Sequence, residues 1–133
     1  MKDKQINDFE LEYTLYQFPS PIRPMSYKIK IDGTGRLVKK YEGYSDVITR
    51  YLSQSELSEL IDLLQKNEFF KLPKNVNGVT NITDQPSRYL SIKYNGKYHN
   101  CDGYNTKNKK YIMICDFIEN LEQLHNQSNL GNL

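Results

Sequence analysis

Four side chains in this sequence, its two His and two Cys, could serve as soft metal ligands or as a nucleophile and its base: His99, Cys101, Cys115 and His125. Structural zinc draws its ligands in close pairs, each pair on a tight knuckle. Only His99 and Cys101 stand close together. The alternation in "SIKYNGKYHNCDG" puts both on one face of a strand, beside Ile92 and Leu90 of the strand before it. A half-buried imidazole and a buried free thiol explain that placement without a metal, so neither metal nor cofactor is expected. A Cys–His nucleophile pair needs the two groups in hydrogen-bond reach, with an orienting group and an oxyanion hole. Cys115 and His125 lie ten apart on one helical pattern, too far to touch. No serine sits on a strand-to-helix elbow. Most carboxylates fall on outer helix positions. Asp84 is the exception, inside the long polar segment "PKNVNGVTNITDQPS". An enzyme centred on Asp84 and His99 is therefore the only catalytic alternative, and it requires the two to share a pocket.

Two further motifs have ordinary readings. "DGTG" at Asp32 to Gly35 joins two strands, whereas a phosphate loop runs from a strand into a helix whose amides meet the anion. "NVNGVTNITD" has the oxygens of a calcium loop but lacks the closing Glu and the flanking helix. Within it, Asn77-Gly78 is a turn, and Thr83-Asp84-x-Pro86 a turn that launches the next strand. The stretch 75–81 has no such assignment and is expected to be a contact surface or disordered.

Charge is more informative by place than in total. The net charge of +2 argues for no polyanionic partner. Residues 87–111, however, hold Arg88, Lys93, Lys97, Lys107, Lys109 and Lys110 against Asp102, a local +5, while 51–86 carry −2 and 112–133 carry −3. The last helical segment thus has its bases at the N-terminus and its acids further on, against the helix macrodipole. Either the acids of the first helix (Glu56, Glu59, Asp62) pair with those lysines, or an external acidic partner does. The same strip interleaves Tyr89, Tyr94, Tyr98 and Tyr104 with its bases, a pattern suited to protein anchoring and to stacking on single-stranded nucleic acid.

The elements that must position these residues follow from periodicity. "FELEYTLYQF" alternates as a half-buried strand, and the prolines of "FPSPIRPM" end it. "YKIKIDGTGRLVKKY" is a hairpin closed by a three-residue loop with Gly35 left-handed, setting Ile31 against Leu37 and Tyr27 against Tyr41. A weaker strand follows over 46–52. Ser53-Gln54-Ser55-Glu56 is a capping box, and Leu57, Leu60, Ile61 and Leu64 form one helical face ending at Asn67. Asn95-Gly96 closes a second hairpin, with Leu90, Ile92, His99 and Cys101 inward and Tyr89, Lys93, Tyr98 and Asp102 outward. A last helix spans 109–126, ahead of a polar tail, 127–133. The expectation is one α+β domain with a mainly antiparallel sheet of about five strands and two helices on one face.

At 133 residues the chain is long enough for one core without disulfides. Eleven Tyr, five Phe and no Trp give it an amphipathic aromatic set. No apolar run approaches the ~20 residues that span a bilayer, and the first residues lack a signal peptide's apolar run. No membrane insertion and a cytoplasmic location are expected, unless an export signal once preceded Met1.

Several of these motifs recur together: Tyr27-x-Ile29-x-Ile31-x-Gly33-x-Gly35, Tyr41-x-Gly43, the Leu52-Ser53 helix start, Phe69 or Phe70 before Leu72, and Thr83-Asp84-x-Pro86 before a strand–turn–strand. Over residues 15–125 the chain resembles a small bacterial domain family of unknown function, frequent in secreted or lipid-anchored proteins. Members often carry a Cys-rich Gly/Pro segment before the first Tyr strand. Here "FPSPIRPMSY" keeps the prolines and has no Cys, so no redox role is carried over. The resemblance implies the fold and brings no activity. The expected function is a non-enzymatic binding module, an inhibitor- or immunity-type domain whose partner is another protein. Its contacts would come from Arg88, Tyr89, Tyr98, Tyr104, Lys107, Lys109 and Lys110, with Asn77 and Asp84 on the rim. Nucleic acid or another polyanion on the strip 88–111 is the alternative.

Overall fold

Among the described residues six antiparallel strands form one sheet, one strand more than expected. The computed structural model describes residues 8–17, 26–78 and 86–131, side chains after Leu121 excepted. The strands are β1 (Glu10–Tyr16), β2 (Tyr27–Asp32), β3 (Arg36–Tyr41), β4 (Val47–Tyr51), β5 (Ser87–Tyr94) and β6 (Lys97–Tyr104), in the spatial order β4-β3-β2-β1-β5-β6. The helices are α1 (Gln54–Lys66) and α2 (Lys109–Gly131). The sixth strand is the weak segment at 47–51, which alternation alone marks poorly because most of its residues are exposed.

Local chemistry sets both hairpins in the expected register. Gly35 takes φ +90° and its N–H donates to the Asp32 carbonyl, while Asp32 Oδ1 accepts from the Thr34 amide at 2.9 Å. Ile31 then faces Leu37, and Tyr27 faces Tyr41. Asn95 and Gly96 both have positive φ, as a two-residue hairpin turn requires, and they set Ile92 against His99 and Leu90 against Cys101.

Between the hairpins lies β1. Tyr13 is paired with Ile29 on one side and with Leu90 on the other. Its inward row, Phe9, Leu11, Tyr13 and Leu15, is buried at the middle of a single core. Leu57, Leu60, Ile61 and Leu64 of α1 close that core, as do Tyr111, Ile114, Cys115, Ile118 and Leu121 of α2. Ser53 caps α1 with both bonds of the capping box. Asn108 Oδ1 accepts from the Tyr111 amide at 3.0 Å at the start of α2. That helix continues through Gly131 instead of ending near 126: no proline interrupts its hydrogen-bond ladder.

Part of the unexplained polar segment has a structural task. Val76 donates to the Asp102 carbonyl, Asp102 to the Lys74 carbonyl and Gly78 to the Tyr104 carbonyl, at 2.8 to 2.9 Å, with Asn75 bridged in parallel to Asp102. Residues 74–78 therefore cover the outer edge of β6. Gly78 fits because a Cβ there would lie 2.0 Å from the Asn105 carbonyl oxygen.

Arg50, on β4, points into the helix layer. It donates to the Leu121 carbonyl at 2.6 Å and pairs with Glu56. Partial burial pulls the Glu56 carboxyl up, and the bonds from Ser53 and Arg50 outweigh it, holding it below the usual range. A depressed carboxylate adds stability above its unfolded pKa and loses it as pH falls through the folded value. We expect Glu56→Gln to lower the melting temperature at pH 7 and to reduce the acid-side loss of stability below about pH 4, as read by thermal unfolding across pH.

Candidate functional site

Alternation gives this sheet two unlike faces. The inward row is covered by both helices. The outward row carries no helix among the described residues, and its side chains align across the strands. One line runs Thr49, Val38, Lys30, Glu12, Ser91, Asn100; the next runs Val47, Lys40, Lys28, Thr14, Tyr89, Asp102. Tyr98 stands opposite Lys93 and Tyr51 opposite Arg36, 67% and 69% exposed. Two concavities, of about 640 and 810 Å³, open on this face. The first is lined by Tyr16, Lys28, Lys30, Lys40 and Val47 among others, the second by Glu10, Glu12, Lys30, Arg36 and Tyr98. Its charges nearly balance: Lys28, Lys30, Arg36, Lys40 and Lys93 against Glu10, Glu12, Asp32 and Asp102. Lys28 and Glu12 pair at 2.9 Å.

The residues expected to form one basic strip are distributed over several places. Tyr89, Tyr98 and Tyr104 belong to the outward row. Arg88 lies in the inward row, opposite Leu15, with Nε 3.3 Å from Glu119 and a terminal nitrogen 3.9 Å from Asp116. Lys110 pairs with Glu68, which stands just beyond α1 in the left-handed region. The partner of that helix start is thus Glu68, and Glu56 is already held by Arg50. Lys107 and Lys109 are exposed at the entry to α2. Asn77 is part of the cover on β6, its Oδ1 accepting from the Tyr104 amide at 2.7 Å. Asp84 lies outside the described residues, as do all of 79–85. His99 is packed against Phe69 and Phe70. Its Nε2 lies 2.7 Å from the Leu72 carbonyl, which can only accept, so Nε2–H is the donor.

Sequence reasoning missed a polar cluster at one end of the inward row. Lys39 is buried, with its ammonium 4.2 Å from the Tyr27 ring centroid and 4.9 Å from that of Tyr41. The Tyr13 hydroxyl donates to Glu119, which also faces Arg88. Burial pushes the Tyr13 and Tyr27 hydroxyls well above their ordinary pKa. A cleft of about 340 Å³ opens beside Lys39, Arg88 and Glu119. The signal was present: Lys39 stands two residues from both Leu37 and Tyr41, on the same face, so its side chain had to turn inward. Burial also pushes the thiols of Cys101 and Cys115 up to about 12, which leaves little thiolate at neutral pH.

The family described as a domain of unknown function (DUF6438) matches residues 25–125, and the chain belongs to it. No curated protein matches the chain. Among the described residues no helix is long and apolar enough to cross a membrane, and no group of three or more His, Cys, Asp or Glu is placed to hold a metal ion.

Both thiols should resist a water-soluble disulfide reagent in the native protein and react together once denaturant is added. Rapid modification of either in the folded state would contradict their burial.

Proposed function

We propose that this domain is a non-enzymatic binding module of the inhibitor or immunity type, and that it takes a protein partner on the open face of its sheet. One observation carries the reading: among the described residues no helix covers the outward face of the sheet, which is set with exposed Tyr16, Tyr51, Tyr89 and Tyr98 among near-balanced charges. Tyr offers large contact area at small entropic cost, and mixed charges give register against a complementary surface. The free, buried cysteines suit a cytoplasmic setting.

A second reading, a polyanion on the same face, is favoured by Lys28 standing directly opposite Lys40 with Lys30 alongside. Like charges so placed repel, and an anion would relieve them. Salt separates the two readings. Phosphate contacts release counterions, so polyanion affinity falls steeply with salt, whereas a protein interface of balanced charge loses little.

The test compares the wild-type domain with Tyr89→Ala and Tyr98→Ala as bait in a lysate of the native host. Both positions are exposed, so thermal unfolding should stay within about 0.5 kcal/mol of wild type. Capture of the same protein should weaken at least tenfold, about 1.4 kcal/mol. Undiminished capture by both variants, or recovery of nucleic acid in place of protein, would overturn the reading.

A further inference from the structure

The two edges of the sheet are managed differently. Residues 74–78 cover β6 through backbone bonds, whereas β4 is hydrogen-bonded only to β3 among the described strands. The Leu52 amide donates to the Gly35 carbonyl at 2.8 Å. Bonded and unbonded pairs alternate along an antiparallel ladder, so Arg50 and Ile48 exchange bonds with Leu37 and Lys39. Val47, Thr49 and Tyr51 therefore turn their N–H and C=O groups away from the sheet.

Edge strands are usually blunted by an outward lysine, a proline or a bulge. Val47-Ile48-Thr49-Arg50-Tyr51 has none of these. Its one charge, Arg50, is buried and held by Glu56 and the Leu121 carbonyl. Of the eight exposed large hydrophobic side chains among the described residues, Val47, Ile48 and Tyr51 belong to this strand and Tyr44 lies just before it.

We propose that β4 is a self-pairing edge, joining two copies of this chain in antiparallel fashion about a two-fold axis at Thr49. Outward-pointing residues meet as bonded pairs in such an arrangement. Thr49 meets its own copy, and Val47 meets Tyr51 of the second chain, twice by symmetry. That sets an aromatic against a β-branched residue and Thr against Thr, both favourable cross-strand pairs. On the other side Ile48 meets Arg50, whose charge is already matched by Glu56. No like charges oppose one another. Centring on Thr49 uses all three outward residues, and a shift by two in either direction leaves one unpaired. A foreign strand would find the same backbone groups, yet no charge on this edge selects its side chains. The strand's own sequence is the complement that fits. Val47 and Tyr51 also border the open face, but Tyr89 and Tyr98 lie on β5 and β6, so variants at those two positions test the face without touching the edge.

A single strand pair buries less than the roughly 1,200 Å² of a stable complex, so the dimer is weak and concentration-dependent. Sedimentation velocity on the full chain from roughly 1 μM to 1 mM, the span of weak association, should show reversible monomer–dimer exchange that survives 1 M salt. Thr49→Pro removes an N–H that faces solvent and costs no β3–β4 bond, so the circular dichroism and melting curve should be kept while the dimer is lost. Tyr51→Lys, which places two lysines on the symmetric edge, should also give monomer and guards against misfolding of the first variant. A wild-type chain that stays monomeric at 1 mM overturns the assignment. So does a dimer that both variants leave intact.

Discussion

The domain is held together by a strand that is hydrogen-bonded on both sides to partners from opposite halves of the chain. β1 joins the meander β2–β3–β4 on one edge to the hairpin β5–β6 on the other. Each half alone would be a small sheet with an apolar face too narrow for two helices. With β1 between them, Tyr13, Leu11 and Phe9 lie at the centre of a row that runs from Leu37 to Cys101. Both α1 and α2 pack on that row, and the outward face opposite is as wide as the six strands allow. The extent of the open face is thus fixed by the same pairing that fixes the core.

Burying that row brought three cations inward with it, and each is met by chemistry suited to its shape. Lys39, a compact ammonium, lies over the faces of Tyr27 and Tyr41, where ring quadrupoles attract it. Arg50 spreads its fork between a carboxylate and a helix carbonyl. Arg88 faces Glu119, which also takes the Tyr13 hydroxyl. Removing one member of such a set costs more than the pair contributes, because the other is left charged and dry. Tyr13, Arg50 and Arg88 thereby tie α2 to β1, β4 and β5, which makes them part of the frame.

The sequence was legible wherever a few neighbouring residues decide the geometry. Gly33-Thr34-Gly35 and Asn95-Gly96 dictated both hairpin registers, Ser53 and Glu56 the start of α1, and alternation the face of nearly every strand residue. It was not legible where the question was which strand lies beside which. Alternation tells that Lys28 and Tyr89 point outward; it does not tell that Thr14 stands between them. That is why Arg88, Tyr98 and Lys110, contiguous in charge along the chain, were read as one strip while the fold sends them to different places. The polar stretch 74–78 was opaque for a related reason: its backbone, and not its side chains, does the pairing.

The position of β1 also sets an order of events when the chain is made. Among the described strands it is made before the others, and its partner β5 comes only after β2, β3, β4 and α1. Until then one long side of β1 stays open, beside a row of apolar groups that only α1 has begun to cover. Contacts so far apart in sequence close slowly, because a large loop must be ordered before they form. The nascent meander is thus the stage at which this protein is most exposed to mispairing. The last act, residues 74–78 settling on β6, becomes possible only when the sheet is complete.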